Sequence, residues 1–137
     1  MASAVCNSFK TEVLGGTHDL DTDVIKLALY TSSASLSAST TAYSSTNEVV
    51  GTGYTAGGNT LAGAVISLDS STAIVDFTDT AWTTATITAR YGLIYNSSKT
   101  NKAIAVLDFT TDQTATNGTF TVVFPAAAAA TAIIRLA

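Results

Sequence analysis

From residue 24 onward, apolar side chains return at every second position in short runs. This period of two limits what the chain can fold into more than any other feature. In the run 24–30, Ile25, Leu27 and Leu29 fall on one face of a strand, and Lys26, Ala28 and Tyr30 on the other. Runs 61–68 and 72–78 are joined by Asp69-Ser70-Ser71, which reads as a hairpin turn. Runs 86–95 and 102–109 flank the turn-rich stretch 96–101. Run 119–124 starts after Asn117-Gly118, a pair that favours left-handed backbone. Residues 133–136 read as a last strand. Six to seven short strands at this spacing predict a mainly β fold, an antiparallel β-sandwich or barrel.

The N-terminal span, residues 1–16, has a different period. Val5, Phe9 and Val13 recur at i, i+4 and i+8, with Cys6 and Leu14 widening the stripe, so one short helix is expected. Ser3 is placed to cap its start and Gly15-Gly16 to close its end. Residues 31–59 form a long Ser/Thr/Gly-rich loop within the domain, anchored by Tyr43, Tyr54, Val49 and Val50. A loop of that length is usually functional or packed on a neighbour. Ala126 to Ala130 follow Pro125 and suit either a helix start or a packed connection; the few residues remaining favour the connection.

At 137 residues, the chain suits a single domain, residues 1–137. Only 12% of residues are charged, about half the usual share, while Thr, Ser and Ala contribute 25, 14 and 23 residues. Six Lys or Arg against a net charge of −4 make nucleic acid an unsuitable partner. One Cys and one His exclude an internal disulfide and a zinc-ligand cluster built on them. No run approaches the ~20 apolar residues of a membrane helix. Met1 to Cys6 lacks the basic start of a secretion signal, so synthesis and folding in a cytoplasm are expected.

Several groups invite a chemical reading and have a plainer one. Asp19, Asp21 and Asp23 resemble the first ligands of a calcium loop, but Val24 and Tyr30 stand where that loop needs Gly and Glu. An acidic turn is the simpler account. His18 beside them is half of a hydrolytic pair, yet no nucleophile motif accompanies it. Cys6 lies on the apolar stripe with no nearby cations to activate it. The Gly-dense 51–58 lacks the Lys of a phosphate loop and suits close backbone packing. Asp76, Asp79, Asp108 and Asp112 are glycosidase-type carboxylates without the aromatic platforms of such a cleft. Trp82, bracketed by Asp79 and Arg90, is a core anchor or a sugar-stacking residue. The glycosylation-like triplets at Asn96 and Asn117 carry little weight without a secretion signal. No catalytic, cofactor-binding or metal-ligating residue is expected, and no cofactor.

One resemblance adds to this. Asn7-Ser8-Phe9-Lys10 with Gly15-Gly16, the run 23–31, Tyr43, Asn47-Glu48-Val49, Gly51-Thr52-Gly53-Tyr54, the run 89–96, Phe124-Pro125 and Ile133-Ile134-Arg135 together resemble a family of small tailed-bacteriophage virion structural proteins. The resemblance implies a virion component. A charge-poor surface loses little side-chain entropy on burial, which suits a capsid decoration (cement) protein. Such a protein would bind the major capsid protein and itself, as a homo-oligomer such as a trimer, with no membrane partner. The alternatives are a tail, fibre or neck-associated structural protein, or a virion glycan-binding module using Trp82, Tyr43, Tyr54 and Tyr91.

Overall fold

A computed structural model describes residues 3–137. Residues 1 and 2, the start of the span expected to form the helix, lie outside the described residues. Eight strands and one helix follow in the order β1 (Ala4–Val5), α1 (Asn7–Leu14), β2 (Ile25–Tyr30), β3 (Asn59–Thr60), β4 (Val65–Asp69), β5 (Thr72–Asp76), β6 (Thr80–Asn96), β7 (Lys102–Val122) and β8 (Ile134–Leu136). They make two antiparallel sheets, β1-β7-β6-β2-β3 and β4-β5-β8. The arrangement is sandwich-like and not a closed barrel. Among the described residues, no helix is long and apolar enough to cross a membrane.

The helix is shorter than its periodicity predicts. Ala4 and Val5 pair with Val106 and Ala105 as a strand, and Cys6 takes the N-cap position without a side-chain cap. Ser3, expected to cap, instead accepts from the Asp108 amide at 2.9 Å. Apolar residues at 4 and 5 serve a sheet edge as well as a helix, and the β7 ladder decides. The C-terminal end follows expectation: Gly16 is left-handed (φ 77°). Its amide and that of Thr17 donate to the Val13 and Glu12 carbonyls, a Schellman closure. Leu14, placed on the apolar stripe, is 84% exposed, because five residues at ~100° each put it far round the helix from the buried Phe9.

The β6–β7 pair dominates, and here the expected strand boundaries need correction. The sequence pattern separates 102–109 from 119–124 as two strands, but β7 runs unbroken through 110–118, opposite the Thr-rich first half of β6. Asn117 is left-handed as its sequence suggests (φ 47°), yet the result is an irregularity inside the ladder, not a hairpin. The ladder shifts register at several points, and Thr84 and Thr110 are also left-handed. Alternation explains the composition. Trp82, Ala85, Ile87, Ala89, Ala115 and Phe120 are buried, while Thr86, Thr88, Thr114 and Thr121 face water. Thr88 and Thr114 even share a hydrogen bond across the strands at 3.0 Å. Threonine here supplies a polar β surface without charge. The alanine run forms turns leading to β8, a connection as expected, but Ala126, Ala127 and Ala130 are exposed, so it is not a packed one.

Candidate functional site

The long loop is a layer of the structure. β2 is buried on both faces, including Ala28 and Tyr30, because residues 31–58 lie across the face those two residues share with Leu93 and Tyr95. Short bridges tie the loop down at Tyr30–Glu48, Ala42–Lys102 and Thr52–Thr86. Its glycines make this possible. A Cβ on Gly58 would enter the Leu27 carbonyl, and one on Gly51 would strike the Thr86 carbonyl. Gly53 and Gly58 also hold positive φ, of 82° and 77°. The Gly-dense stretch thus serves close approach of two backbones.

Glu48 is the centre of this layer. It is the only charged residue between 31 and 59, and it is buried at 7% exposure. Its Oε2 accepts from the Tyr43 hydroxyl at 2.6 Å, and its Oε1 from the Tyr54 hydroxyl at 2.6 Å and the Gly57 amide at 2.7 Å. Tyr54 in turn accepts from the Leu29 amide, and Tyr95 donates to the Gly57 carbonyl. Tyr43 stacks on Tyr95 at 4.7 Å. Burial, then the Glu48 carboxylate, pushes the Tyr43 and Tyr54 phenols well up, so both stay donors at every ordinary pH. The buried carboxylate is satisfied by three neutral donors, all within the loop, so it gathers the loop on itself. Tyr54 and Gly57 then join it to the sheet through Leu29 and Tyr95. Val49 is buried beside it, whereas Val50, expected as an anchor, is 95% exposed, since adjacent residues on an extended chain point opposite ways.

The second polar cluster lies on the other face, under α1. His18 Nε2 meets Glu12 Oε1 at 3.0 Å, and His18 Nδ1 meets Asn96 Nδ2 at 3.0 Å. Asn96 Oδ1 accepts from the Ser98 amide, which orients the amide group so that Nδ2 is the donor. His18 therefore carries its proton on Nε2 and donates it to Glu12. Both ring nitrogens are committed to the fold, leaving neither for a substrate. Asn96 Nδ2 also donates to Asp23 Oδ2 at 2.8 Å, and Lys102 completes the set 3.1 Å from Glu12. Asn96 is fully buried, which closes its glycosylation-like triplet to modification in the folded protein.

The remaining candidates are spent locally. Burial, reinforced by the Glu12 charge, pushes the Cys6 thiol up to about 11, so it is not a thiolate at neutral pH. Asp23 closes its own turn by accepting from the Asp19 amide, while Asp19 and Asp21 are exposed. Asp79 accepts from the Phe124 amide, and Asp108 from Arg90 Nε and the Thr110 amide. Asp76 ends β5, and Asp112 is exposed on β7. Trp82 is 4% exposed, with Tyr54 and Phe120 rings at 5.9 and 6.1 Å. It is a core anchor and has no face free for a sugar. Tyr91 lies under the Arg90 guanidinium at 5.2 Å. Among the described residues, no group of three or more His, Cys, Asp or Glu is arranged to hold a metal ion.

One open feature is largely apolar. Between α1 and the small sheet runs a cleft of about 310 Å³, lined by Phe9, Val13, Leu20, Val75, Ile134 and Leu136. At its rim, Ile66, Leu68 and Leu136 remain 51%, 70% and 47% exposed. Sequence reasoning missed both Glu48 and this rim. A lone charge between Tyr43 and Tyr54 was the available signal for the first; the second had none, since Ile66 and Leu68 read as ordinary strand residues. Comparison with known proteins finds no matching family, no curated relative and no similar solved structure.

Proposed function

We propose that this protein is a non-catalytic structural component of a phage virion: a capsid decoration (cement) protein that binds the major capsid lattice as a homo-oligomer. The carrying observation is how side chains are allocated. Of the groups that invite a chemical reading, His18, Asp79 and Asp108 are engaged in holding the fold and Cys6 is buried, whereas the exposed surface includes an apolar strand and a field of threonine. A surface with few Lys and Glu loses little rotamer entropy when it is buried against neighbours. The resemblance to small tailed-phage virion proteins supplies the setting, in which the protein made in the host cytoplasm ends in the particle.

The test is capsid stability. Recombinant protein added to undecorated expanded capsids is expected to raise their melting temperature, because a ligand of the assembled state stabilises it by linkage. No shift at saturating protein would overturn the reading. Copy number per major capsid subunit in purified virions separates head from neck, tail or fibre. Decoration requires a copy number that scales with the capsid lattice, and a handful per particle assigns the protein to the tail or neck.

A further inference from the structure

Sheet edges expose unpaired backbone groups, and proteins blunt them with short strands, charge or cover. Among the described residues, the two sheets have four edges. β1 and β3 are two residues each, and β8 has three and carries Arg135. β4 is different. It spans five residues, has no charge before Asp69, and is exposed at Val65, Ile66, Ser67 and Leu68. Cross-strand pairing puts Ile66 beside Val75 and Ile134, and Leu68 beside Ala73 and Leu136, on one apolar face that borders the cleft. The one charge on β4, Asp69, sits at its last position and accepts from the Ala129 amide, which leaves Val65 to Leu68 without a charge on the edge.

We propose that β4 is the self-association edge, pairing antiparallel with β4 of a second copy across a two-fold axis at Ser67. This rests on the oligomeric reading above and gives it a surface. A two-fold axis normal to a sheet keeps each face on its own side, so Ile66 and Leu68 of both copies join into one apolar face. Pairing all five residues sets Ser67 opposite Ser67, Ile66 opposite Leu68, and Val65 opposite Asp69. No like charges meet. The small sheets fuse into one six-stranded sheet. A three-fold ring would instead have to join β4 to β8, which is shorter and carries Arg135. A five-residue strand spans only ~17 Å, so the interface is smaller than a standard one. The dimer is accordingly weak in free solution and is completed where the lattice concentrates copies.

The experiment is sedimentation of the full chain up to roughly several hundred micromolar, the range a small interface implies. Wild type is expected to show a concentration-dependent dimer, and Leu68→Lys a monomer with unchanged circular dichroism and melting, because Leu68 is 70% exposed. Ser67→Cys is expected to form a disulfide dimer on oxidation, which Leu14→Cys, on an equally exposed helix end, does not. Cys6 is buried and does not compete. A wild type monomeric throughout, an oligomer indifferent to Leu68→Lys, or cross-linking no faster at 67 than at 14 overturns the proposal. If wild type still stabilises capsids after such a failure, the decoration reading stands alone. If the dimer forms and capsids are not stabilised, the edge pairing stands without it.

Discussion

The two faces of the large sheet are covered in opposite ways. On one, residues 31–58 are gathered around a buried carboxylate and held against β2 and β6 through Tyr54 and Tyr95, with glycines where the backbones approach most closely. On the other, α1 and the small sheet leave an apolar cleft between them and an uncovered edge strand beside it. The first face is finished within the monomer. The second has the composition of an interior and the exposure of a surface. A loop rich in Ser and Thr would be expected to be the mobile part, and an Ile/Leu/Val strand the fixed part. Anchoring reverses that expectation: polar side chains satisfied at every donor hold better than apolar ones with nothing to cover them.

The sharpest way to break the sealed face is at its closest approach. In Gly58→Ala the new Cβ meets the Leu27 carbonyl, and a backbone at φ +77° disfavours any L side chain. Backbone cannot rotate aside as a side chain can, so the expected loss is above ~4 kcal/mol, or failure to fold. Gly118→Ala is the comparison, since its nearest neighbour is the Thr116 carbonyl at 3.6 Å. Its cost is expected to be about 1 kcal/mol or less. Thermal melts of the two variants measure the difference.

Glu48→Gln comes next. The amide keeps the shape but loses the charge, and its NH₂ cannot accept from the phenol that Oε2 served. A stability loss of about 2–3 kcal/mol is expected by denaturant titration. Tyr43→Phe and Tyr54→Phe each remove one donor and are expected to cost about 1 kcal/mol. On the Glu48→Gln background the Tyr43 substitution should cost less, because the bond it removes is already impaired.

How far this contrast could be foreseen differs between the two sides. Periodicity located β2, β5 and β8 nearly to the residue, because each is a short apolar run whose neighbours confirm it. It divided β7, because Thr111, Thr114 and Thr116 carry no apolar alternation. They are strand only because β6 pairs with them. The loop's glycines were legible as close-packing residues, and Tyr43 and Tyr54 as anchors. Glu48 was not, since a carboxylate is expected in water, and a lone charge between Tyr43 and Tyr54 does not by itself say that Tyr43, Tyr54 and Gly57 fold around it. The bare edge was beyond reach for another reason: which strands lie outermost depends on sheet order, a global property that no local pattern of β4 contains.

The smallest expected effect concerns the helix side, and acid tests it. Partial burial alone would raise the Glu12 pKa, but hydrogen bonds from His18 and Lys102 outweigh it and hold the carboxyl below its usual range. The Asn96 amide, then the Asp19 backbone N–H, lowers Asp23 likewise. Both groups are thus more acidic folded than unfolded, so in that interval the unfolded chain binds the extra protons and stability falls as pH falls. The contribution is intact above the ordinary carboxylate value, near 4, and is lost progressively below it. Lys102→Met removes one of the partners that lower Glu12, across a half-exposed pair 3.1 Å apart. Its cost is expected to be about 0.5 kcal/mol near pH 6, shrinking toward zero as Glu12 protonates. Melting curves of wild type and variant from pH 6 to 3 read this as a converging difference. A gap that stays constant with pH would mean that Lys102 stabilises by packing its stem, and that the carboxyl beside it contributes nothing.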